Sequence, residues 1–165
     1  TWAMTGWRIG YAANRTLAPL FTRWITNTDS CASQISQWAA IAAITGPQDA
    51  VHHMVAEFDK RRKVVVSELN KLPGISCATP KGAFYAFPNI KGTGWKAKKL
   101  ASSLLEESGV AIIGGPDFGI LGEGYVRLSY ANSTENILKA PTRIGEFLAT
   151  RKAAQAAILH TAYCA

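Results

Sequence analysis

Two arginines are the residues of this chain best suited to bind an anionic ligand. Arg8 follows Gly6 and Trp7 in an apolar segment, and Arg127 lies in the sequence Tyr-Val-Arg-Leu-Ser-Tyr, which is otherwise suited to burial. Because arginine keeps its charge, an arginine in apolar surroundings needs an anionic partner. Its guanidinium fork matches the geometry of a phosphate or a carboxylate. The alternatives for each arginine are an internal salt bridge or a solvent-facing position on an edge strand.

The spacing of the other polar residues indicates no catalytic set. His52 and His53 are consecutive on a predicted helix and therefore point in different directions. No serine–histidine–aspartate set and no close pair of catalytic carboxylates can be argued from the spacing, and the cysteines form no metal-spaced pair. The glycine-rich segment 114–119 follows a predicted strand without a Lys-Ser/Thr pair after it, so it is interpreted as a turn and not as a phosphate loop.

The composition is typical of a folded globular chain. Of the 165 residues, 48% are hydrophobic and 18% are charged, which excludes a disordered or low-complexity sequence. The longest apolar run, near Trp38–Ile44, is far shorter than the ~18 residues of a spanning helix, so we expect no membrane partner. The three cysteines are odd in number and far apart, which favours a reducing, cytoplasmic compartment.

The net charge of +7 raises the question of a nucleic-acid partner. The basic residues are concentrated in Lys60–Lys63 and Lys91–Lys99, without the alternation of basic and aromatic residues that nucleic-acid binding favours. We interpret both clusters as solvated helix faces and expect no nucleic-acid partner.

The spacing of apolar residues predicts the elements that position these side chains. The clearest is a long amphipathic helix over 49–72, ended by Pro73 and Gly74. Gly109 is expected to cap a later helix, and Pro141 to kink or restart the last one. The pattern further predicts a short buried strand over 7–13, helices over 33–45, 95–108 and about 132–151, and strands over 75–78, 83–87, 110–113 and 125–130, while 20–28 is ambiguous.

This order of elements predicts a small α+β lobe from about residue 75. The long helix, about 35 Å from end to end, suits a connection between two lobes, and the part before it is too small to be a lobe of its own. The chain opens with Thr1 and has no initiator methionine, so it is expected to be a segment of a longer protein. Residues 152–165 are predicted to form a tail.

Five segments, in order, resemble the class I aminotransferases of the aspartate aminotransferase type, which are pyridoxal-phosphate enzymes of fold type I. The resemblance covers about residues 1–150. The first segment is similar to the stretch that follows the cofactor lysine in that family, and the last to its Gly-x-x-Arg-(Leu/Ile)-Ser-x-Ala motif. The segments are Thr1–Tyr11, Gln37–Ala39, Pro80–Pro88, Gly115–Gly119 and Gly124–Ala131.

The resemblance implies an α/β fold and a function. Residues 1–48 would end the large cofactor-binding domain, 49–73 would form the interdomain helix, and 74–151 the small α+β domain. Arg8 would bind the phosphate of pyridoxal 5'-phosphate, and Arg127 the α-carboxylate of an amino-acid substrate. The residues expected near the substrate are Phe84, Tyr85 and Phe118.

The same resemblance implies an enzyme that transfers an amino group from an amino acid to a 2-oxo acid and acts as a homodimer. The Schiff-base lysine is expected immediately before Thr1, so the 165 residues alone would be inactive. Two alternatives are a transcription regulator with an aminotransferase-like domain and an inactive fragment. A third is a lyase or synthase that uses the same two arginines.

Overall fold

The computed structural model describes the backbone of residues 1–163 and the side chains of residues 1–151. Two compact units, Thr1–Val55 and Ala56–Ala165, divide the chain at a point within its third helix. The described elements are α1 (Ala18–Thr28), α2 (Gln34–Thr45), α3 (Asp49–Asn70), β1 (Tyr85–Ala86), α4 (Ala97–Ser108), β2 (Ile113–Gly114), β3 (Val126–Ser129) and α5 (Thr134–Tyr163), with 3-10 turns at Thr5–Trp7, Lys91–Thr93, Gly115–Phe118 and Ile120–Gly122.

The buried strand predicted over 7–13 is wrong. Thr5–Trp7 forms a 3-10 turn, Arg8 adopts the left-handed conformation with φ 50°, and no regular structure follows up to α1. Tyr11 is 93% exposed, so the segment is not buried either. Its apolar composition is compatible with a strand, but a strand also needs a neighbour for its backbone hydrogen bonds, and none pairs with it among the described residues.

The first unit is helical and exposes much of its apolar surface. The ambiguous segment 20–28 belongs to α1, which has Pro19 in its first turn and not one buried residue. The predicted helix over 33–45 is confirmed as α2, in which Ser36 alone is buried. The large apolar side chains of these two helices that are more than 40% exposed are Leu20, Trp24, Ile25, Ile35, Trp38, Ile41 and Ile44.

The long helix predicted over 49–72 is confirmed as α3. Two ion pairs join residues four apart on this helix, Glu57 to Arg61 at 3.2 Å and Asp59 to Lys63 at 2.7 Å. In the second unit, α3 turns Val65, Val66 and Leu69 into the core.

The second unit contains a three-stranded antiparallel sheet in the order β1-β3-β2. The strands are shorter than predicted, and the strand expected over 75–78 is reduced to an isolated bridge between Ser76 and Asn89. Along β3 the side chains alternate: Val126 and Leu128 are buried, Arg127 is half-buried, and Ser129 is exposed. One face of the sheet therefore completes the core, and the other carries Arg127.

Helices α4 and α5 complete the second unit. Gly109 caps α4 in the left-handed conformation, as expected. Ser133 begins α5 by accepting a hydrogen bond from the backbone N–H of Asn136 at 3.2 Å. The helix does not restart at Pro141, and it continues to Tyr163, past the end expected near residue 151. The last two residues of the expected tail lie outside the described residues.

One core joins the sheet to its helices. Its most deeply buried side chains are Leu69, Ala86, Ile90, Ala97, Leu100, Leu104, Val126, Tyr130 and Ile144. Within the described part of the chain, no helix has the length and apolar character needed to cross a membrane.

Candidate functional site

The register of the sheet brings Arg127 next to Tyr85. Tyr85 of β1 lies opposite Ser129 of β3, and Arg127 is two residues from Ser129 on the same strand. Because side chains two apart point to the same face, Tyr85 and Arg127 are diagonal neighbours on the exposed face of the sheet. The Cζ atom of Arg127 lies over the Tyr85 ring, 4.3 Å from its centroid.

A second aromatic ring reaches the same guanidinium from a different element. Phe118 ends the 3-10 turn that follows β2, and its ring centroid is 4.4 Å from Cζ of Arg127. Both distances are well within the ~6 Å over which a cation is attracted to a ring face. Three of the predicted site residues therefore form one cluster, which we call the Arg127 cluster: Arg127, Tyr85 and Phe118.

The guanidinium of Arg127 has no acidic partner among the described side chains. None of their carboxylates forms an ion pair with it, and none of the hydrogen bonds of the described side chains involves it. The internal salt bridge left open by the sequence is therefore not formed within this part of the chain. Five N–H donors remain available to a planar anion, and a carboxylate can take two of them in parallel.

Close backbone packing holds Phe118 in place. The backbone N–H of Gly115 donates to the carbonyl of Tyr125 at 2.8 Å. A Cβ atom at Gly115 would lie 2.0 Å from the carbonyl oxygen of Gly122, so the two 3-10 turns meet where only glycine fits. Asp117 is tied to Lys98 of α4 by an ion pair at 2.7 Å.

Phe84 contacts Tyr85 and not the guanidinium. Its ring centroid is 4.5 Å from that of Tyr85, and on its other side it stacks on Phe58 of α3 at 6.0 Å. Phe84 thus supports the Arg127 cluster through Tyr85.

Tyr130 is a residue that the sequence reasoning missed. It is 1% exposed, its hydroxyl donates to the carbonyl of Ala83 at 3.0 Å, and its backbone N–H donates to the carbonyl of Phe84 at 2.9 Å. These bonds fix the turn before β1, where Ala83 has φ 56°. Burial raises the pKa of Tyr130 above its ordinary value, so its hydroxyl keeps its proton and remains a donor. The signal available in the sequence was a tyrosine at the end of the strand predicted over 125–130, which is otherwise suited to burial.

In the first unit, Arg8 is exposed at the end of the turn Thr5–Trp7. Its Nη1 donates to the carbonyl of Thr5 at 3.2 Å, and no carboxylate of the described side chains pairs with it. The buried Ser36 of α2 donates to the carbonyl of Trp7 at 2.8 Å, which anchors the residue just before Arg8. A fixed backbone and unpaired donors are what a phosphate group requires of an arginine.

The other polar groups add no further reactive set. Among the side chains that the structure describes, no three histidines, cysteines or carboxylates are grouped closely enough to hold a metal ion. The thiol of Cys31 is exposed and that of Cys77 is buried, and both are free. Burial raises the pKa of Cys77, which makes it a poor nucleophile.

Comparison with known proteins decides the family. The sequence model described as "Aminotransferase class I and II" matches residues 1–144. The chain belongs to the class I and II aminotransferase family. Among the curated aminotransferases, it is 42% identical over 155 residues to the aspartate aminotransferase of Pyrococcus horikoshii, covering 92% of this chain and 40% of that protein. It is 37% identical to the aromatic-amino-acid aminotransferase 2 of Thermococcus litoralis, with the same coverage.

Solved aminotransferase structures have the same fold over the matched part. The aromatic aminotransferase of Pyrococcus horikoshii superposes with a TM-score of 0.84 at 40% identity, covering 91% of this chain and 41% of that one. The aspartate aminotransferase of Rhizobium meliloti gives 0.79 at 36% identity, covering 88% and 39%. The chain thus spans about 40% of the length of the aminotransferases that it matches.

Proposed function

We propose that the protein transfers an amino group from an amino acid to a 2-oxo acid with pyridoxal 5'-phosphate as cofactor. The observation that carries this proposal is the guanidinium of Arg127, which lies against two aromatic rings and has no acidic partner among the described side chains. A charged group so placed is stabilised by an anion that comes from outside the fold. In this role Arg127 binds the α-carboxylate of the substrate in a bidentate grip and so orients its α-carbon.

The residues present fit the phosphate of the cofactor. One N–H donor of Arg8 is bonded to the carbonyl of Thr5, which leaves its other N–H donors available to a phosphate. Ser36 anchors the backbone beside Arg8. When bound, pyridoxal 5'-phosphate supplies the carbonyl group that takes up the amino group and the ring that draws electrons from the α-carbon. The part of Arg8 is to hold the phosphate.

The Arg127 cluster supports a role common to several substrates. Similar aminotransferases are named for aspartate, for aromatic amino acids and for alanine. Their substrates share the α-carboxylate and differ in the side chain. We therefore assign to this part of the chain the recognition of the shared carboxylate by Arg127, with Tyr85, Phe84 and Phe118 near the substrate.

The proposal includes the division of the chain into the end of a large cofactor domain (1–48), an interdomain helix (49–73), a small domain (74–151) and a tail (152–165). It also includes a homodimer in the cytoplasm. The exposed apolar side chains of α1 and α2 form a surface of the kind that another polypeptide segment covers, and a partner subunit is the cover that we propose. The free thiols of Cys31 and Cys77 support the reducing compartment.

The test is an assay of the protein as encoded, with any residues that flank this chain. It is loaded with pyridoxal 5'-phosphate and given L-aspartate, L-phenylalanine or L-alanine as donor and 2-oxoglutarate as acceptor. We expect turnover with at least one donor. Arg127→Gln removes two charge-assisted hydrogen bonds of ~1.5–3 kcal/mol each, so kcat/KM for the donor falls by about 100-fold or more. Arg8→Gln speeds the loss of cofactor on dialysis.

Arg143→Gln is the matched control, because it also removes one positive charge from the second unit. Arg143 donates to the carbonyl of Ser108 at the end of α4, at 3.3 Å. We expect its kinetics to match those of the unaltered protein. Absence of transamination with every donor, or an Arg127→Gln variant with unchanged kinetics, would contradict the proposal.

A further inference from the structure

We propose that Tyr85 and Phe118 are positioning residues that fix the plane of the Arg127 guanidinium. The edge of the guanidinium is then already oriented when the substrate carboxylate binds. This inference rests on the proposed function and deepens it, since it says how the carboxylate site is kept ready. It gives both aromatic residues a role that they perform through Arg127 and not through contact with the substrate.

The first support is that two independent elements supply the rings. Tyr85 belongs to β1, and Phe118 to the 3-10 turn after β2, while Arg127 lies on β3 between these strands. The two ring centroids are 4.3 and 4.4 Å from the same Cζ atom. A guanidinium contacted by rings from two separate parts of the fold has few rotamers left.

The second support is the chemistry of the guanidinium. Its N–H donors lie in its plane and point outward, whereas its faces donate nothing. A ring over a face is attracted by the charge and uses none of the donors. We place the Tyr85 and Phe118 rings on the two faces of the guanidinium, where they stabilise the cation and leave its edge to a carboxylate.

The third support is that each ring is itself held by other rings. Phe118 meets Phe87 edge-to-face at 6.1 Å, and Phe87 stacks on Tyr125 at 5.6 Å. Tyr85 is packed against Phe84 at 4.5 Å. Phe118 is 50% exposed, so its ring is not held by packing into the core. Its ring is placed by its neighbours and by the close contact of Gly115 with Gly122.

The energetic consequence is preorganisation. An unrestrained arginine side chain has many rotamers, and part of this freedom is lost when the guanidinium binds a ligand. If the rings have already restricted the Arg127 side chain, less of its rotamer entropy is lost on binding, and the ligand binds more tightly.

The experiment is a double-mutant cycle on the protein as encoded, loaded with pyridoxal 5'-phosphate. The probe is 3-phenylpropionate, with its uncharged amide as the comparison, and calorimetry gives the dissociation constant of each. We expect Phe118→Leu and Tyr85→Leu each to weaken carboxylate binding by about 3- to 10-fold. Phe118→Tyr and Tyr85→Phe keep a ring and restore the affinity. Binding of the amide changes little in any variant.

The cycle separates this role from direct contact with the ligand. In an Arg127→Gln background, Phe118→Leu should have no further effect, because the ring acts through the arginine. An equal loss in both backgrounds would overturn the proposal. Phe147→Leu is the control, since Phe147 packs on Trp95 and has no ring contact with Tyr85 or Phe118 among the described aromatic pairs. A loss as large as that of Phe118→Leu would mean that general ring packing matters, and would also overturn it.

A second measurement needs no ligand. Relaxation of the ¹⁵Nε resonance of Arg127 reports the order of its side chain, which should be high in the unaltered protein and fall in Phe118→Leu and Tyr85→Leu. A mobile Arg127 in the unaltered protein would refute the positioning role whatever the enzyme does. By contrast, an ordered Arg127 together with no preference for carboxylate over amide would refute the proposed function and leave the positioning role standing.

Discussion

Replacement of Gly115 with alanine tests whether close backbone contact positions the Arg127 cluster. The new Cβ atom would lie 2.0 Å from the carbonyl oxygen of Gly122 and 2.8 Å from that of Tyr125. Both neighbours are backbone atoms, so no side-chain rotation relieves the clash. The two 3-10 turns must separate by about 1.4 Å for the distance from this Cβ atom to the Gly122 oxygen to reach an ordinary contact of 3.4 Å.

The magnitude follows from two costs. Overpacking of this kind costs about 1–3 kcal/mol, and separation of the turns lengthens the 2.8 Å hydrogen bond from the N–H of Gly115 to Tyr125, which is worth about 1 kcal/mol. We expect a loss of about 2–4 kcal/mol, which lowers the urea midpoint by about 1–2 M for a slope near 2 kcal/mol per molar. Phe118 lies on the displaced turn, so carboxylate binding weakens as well.

The assay must report the second unit alone. Trp95 is suitable, because the other four tryptophans lie in the first unit and Trp95 packs on Phe147 in the core of the second. Incorporation of 5-fluorotryptophan gives it a ¹⁹F resonance whose loss in urea marks unfolding of that unit.

Gly82→Ala is the matched control for Gly115→Ala. A Cβ atom at Gly82 meets nothing within 4 Å, and its φ lies outside the left-handed region. Its midpoint should stay at or slightly above that of the unaltered protein. Gly122→Ala creates the reciprocal clash, at 2.0 Å from the carbonyl oxygen of Gly115, and should resemble Gly115→Ala. If Gly115→Ala and Gly82→Ala unfold at the same urea concentration, the close contact of Gly115 with Gly122 does not stabilise the second unit, and the prediction is refuted.

Two further predictions concern α3. Leu69 is fully buried, so Leu69→Ala should destabilise the second unit by about 2–5 kcal/mol. The Trp95 resonance in urea measures this loss, and Leu105→Ala, at a residue that is 57% exposed, is the control. A loss for Leu69→Ala no larger than that for Leu105→Ala would contradict the assigned core. Hydrogen bonds from Lys63 and Arg62 hold the pKa of Asp59 below its ordinary value, so its stabilising effect is present at neutral pH and is lost as the pH falls through that lowered pKa. In urea titrations across this range, Asp59→Asn should be less stable at neutral pH and equal to the unaltered protein in acid; a constant difference would contradict the ion pairs.

The helices were the part of the fold that the sequence predicted best. Helices α2, α3 and α4 have repeats of apolar residues long enough to show their period, and glycine or proline marks their ends. Helix α1 was ambiguous because none of its residues is buried, so its apolar side chains follow no core-facing pattern within this unit. The strands were predicted too long, since two-residue pairings such as Tyr85–Ala86 are decided by contacts with other strands.

For the candidate site, the sequence and the family resemblance predicted which residues matter and not how they act. The resemblance put Tyr85 and Phe118 near the substrate of Arg127. That both rings lie on the guanidinium depends on the register of β1 with β3 and on the contact of Gly115 with Gly122, which no local pattern records. The hydrogen bond of Tyr130 was not predicted for the same reason, because its partner Ala83 is 47 residues away.

Arg127 lies in the apolar surroundings in which a charged arginine needs an anionic partner, and Arg8 does not. For Arg127 the premise of an apolar setting is correct, since the side chain is half-buried against two rings. For Arg8 that premise is wrong, because the buried strand is absent and the residue is exposed. The phosphate role of Arg8 therefore depends on its unpaired donors and on membership of the aminotransferase family, whereas the anion-binding role of Arg127 is also supported by the physics of its surroundings. A variant of Arg127 is thus the sharper test of the proposed function.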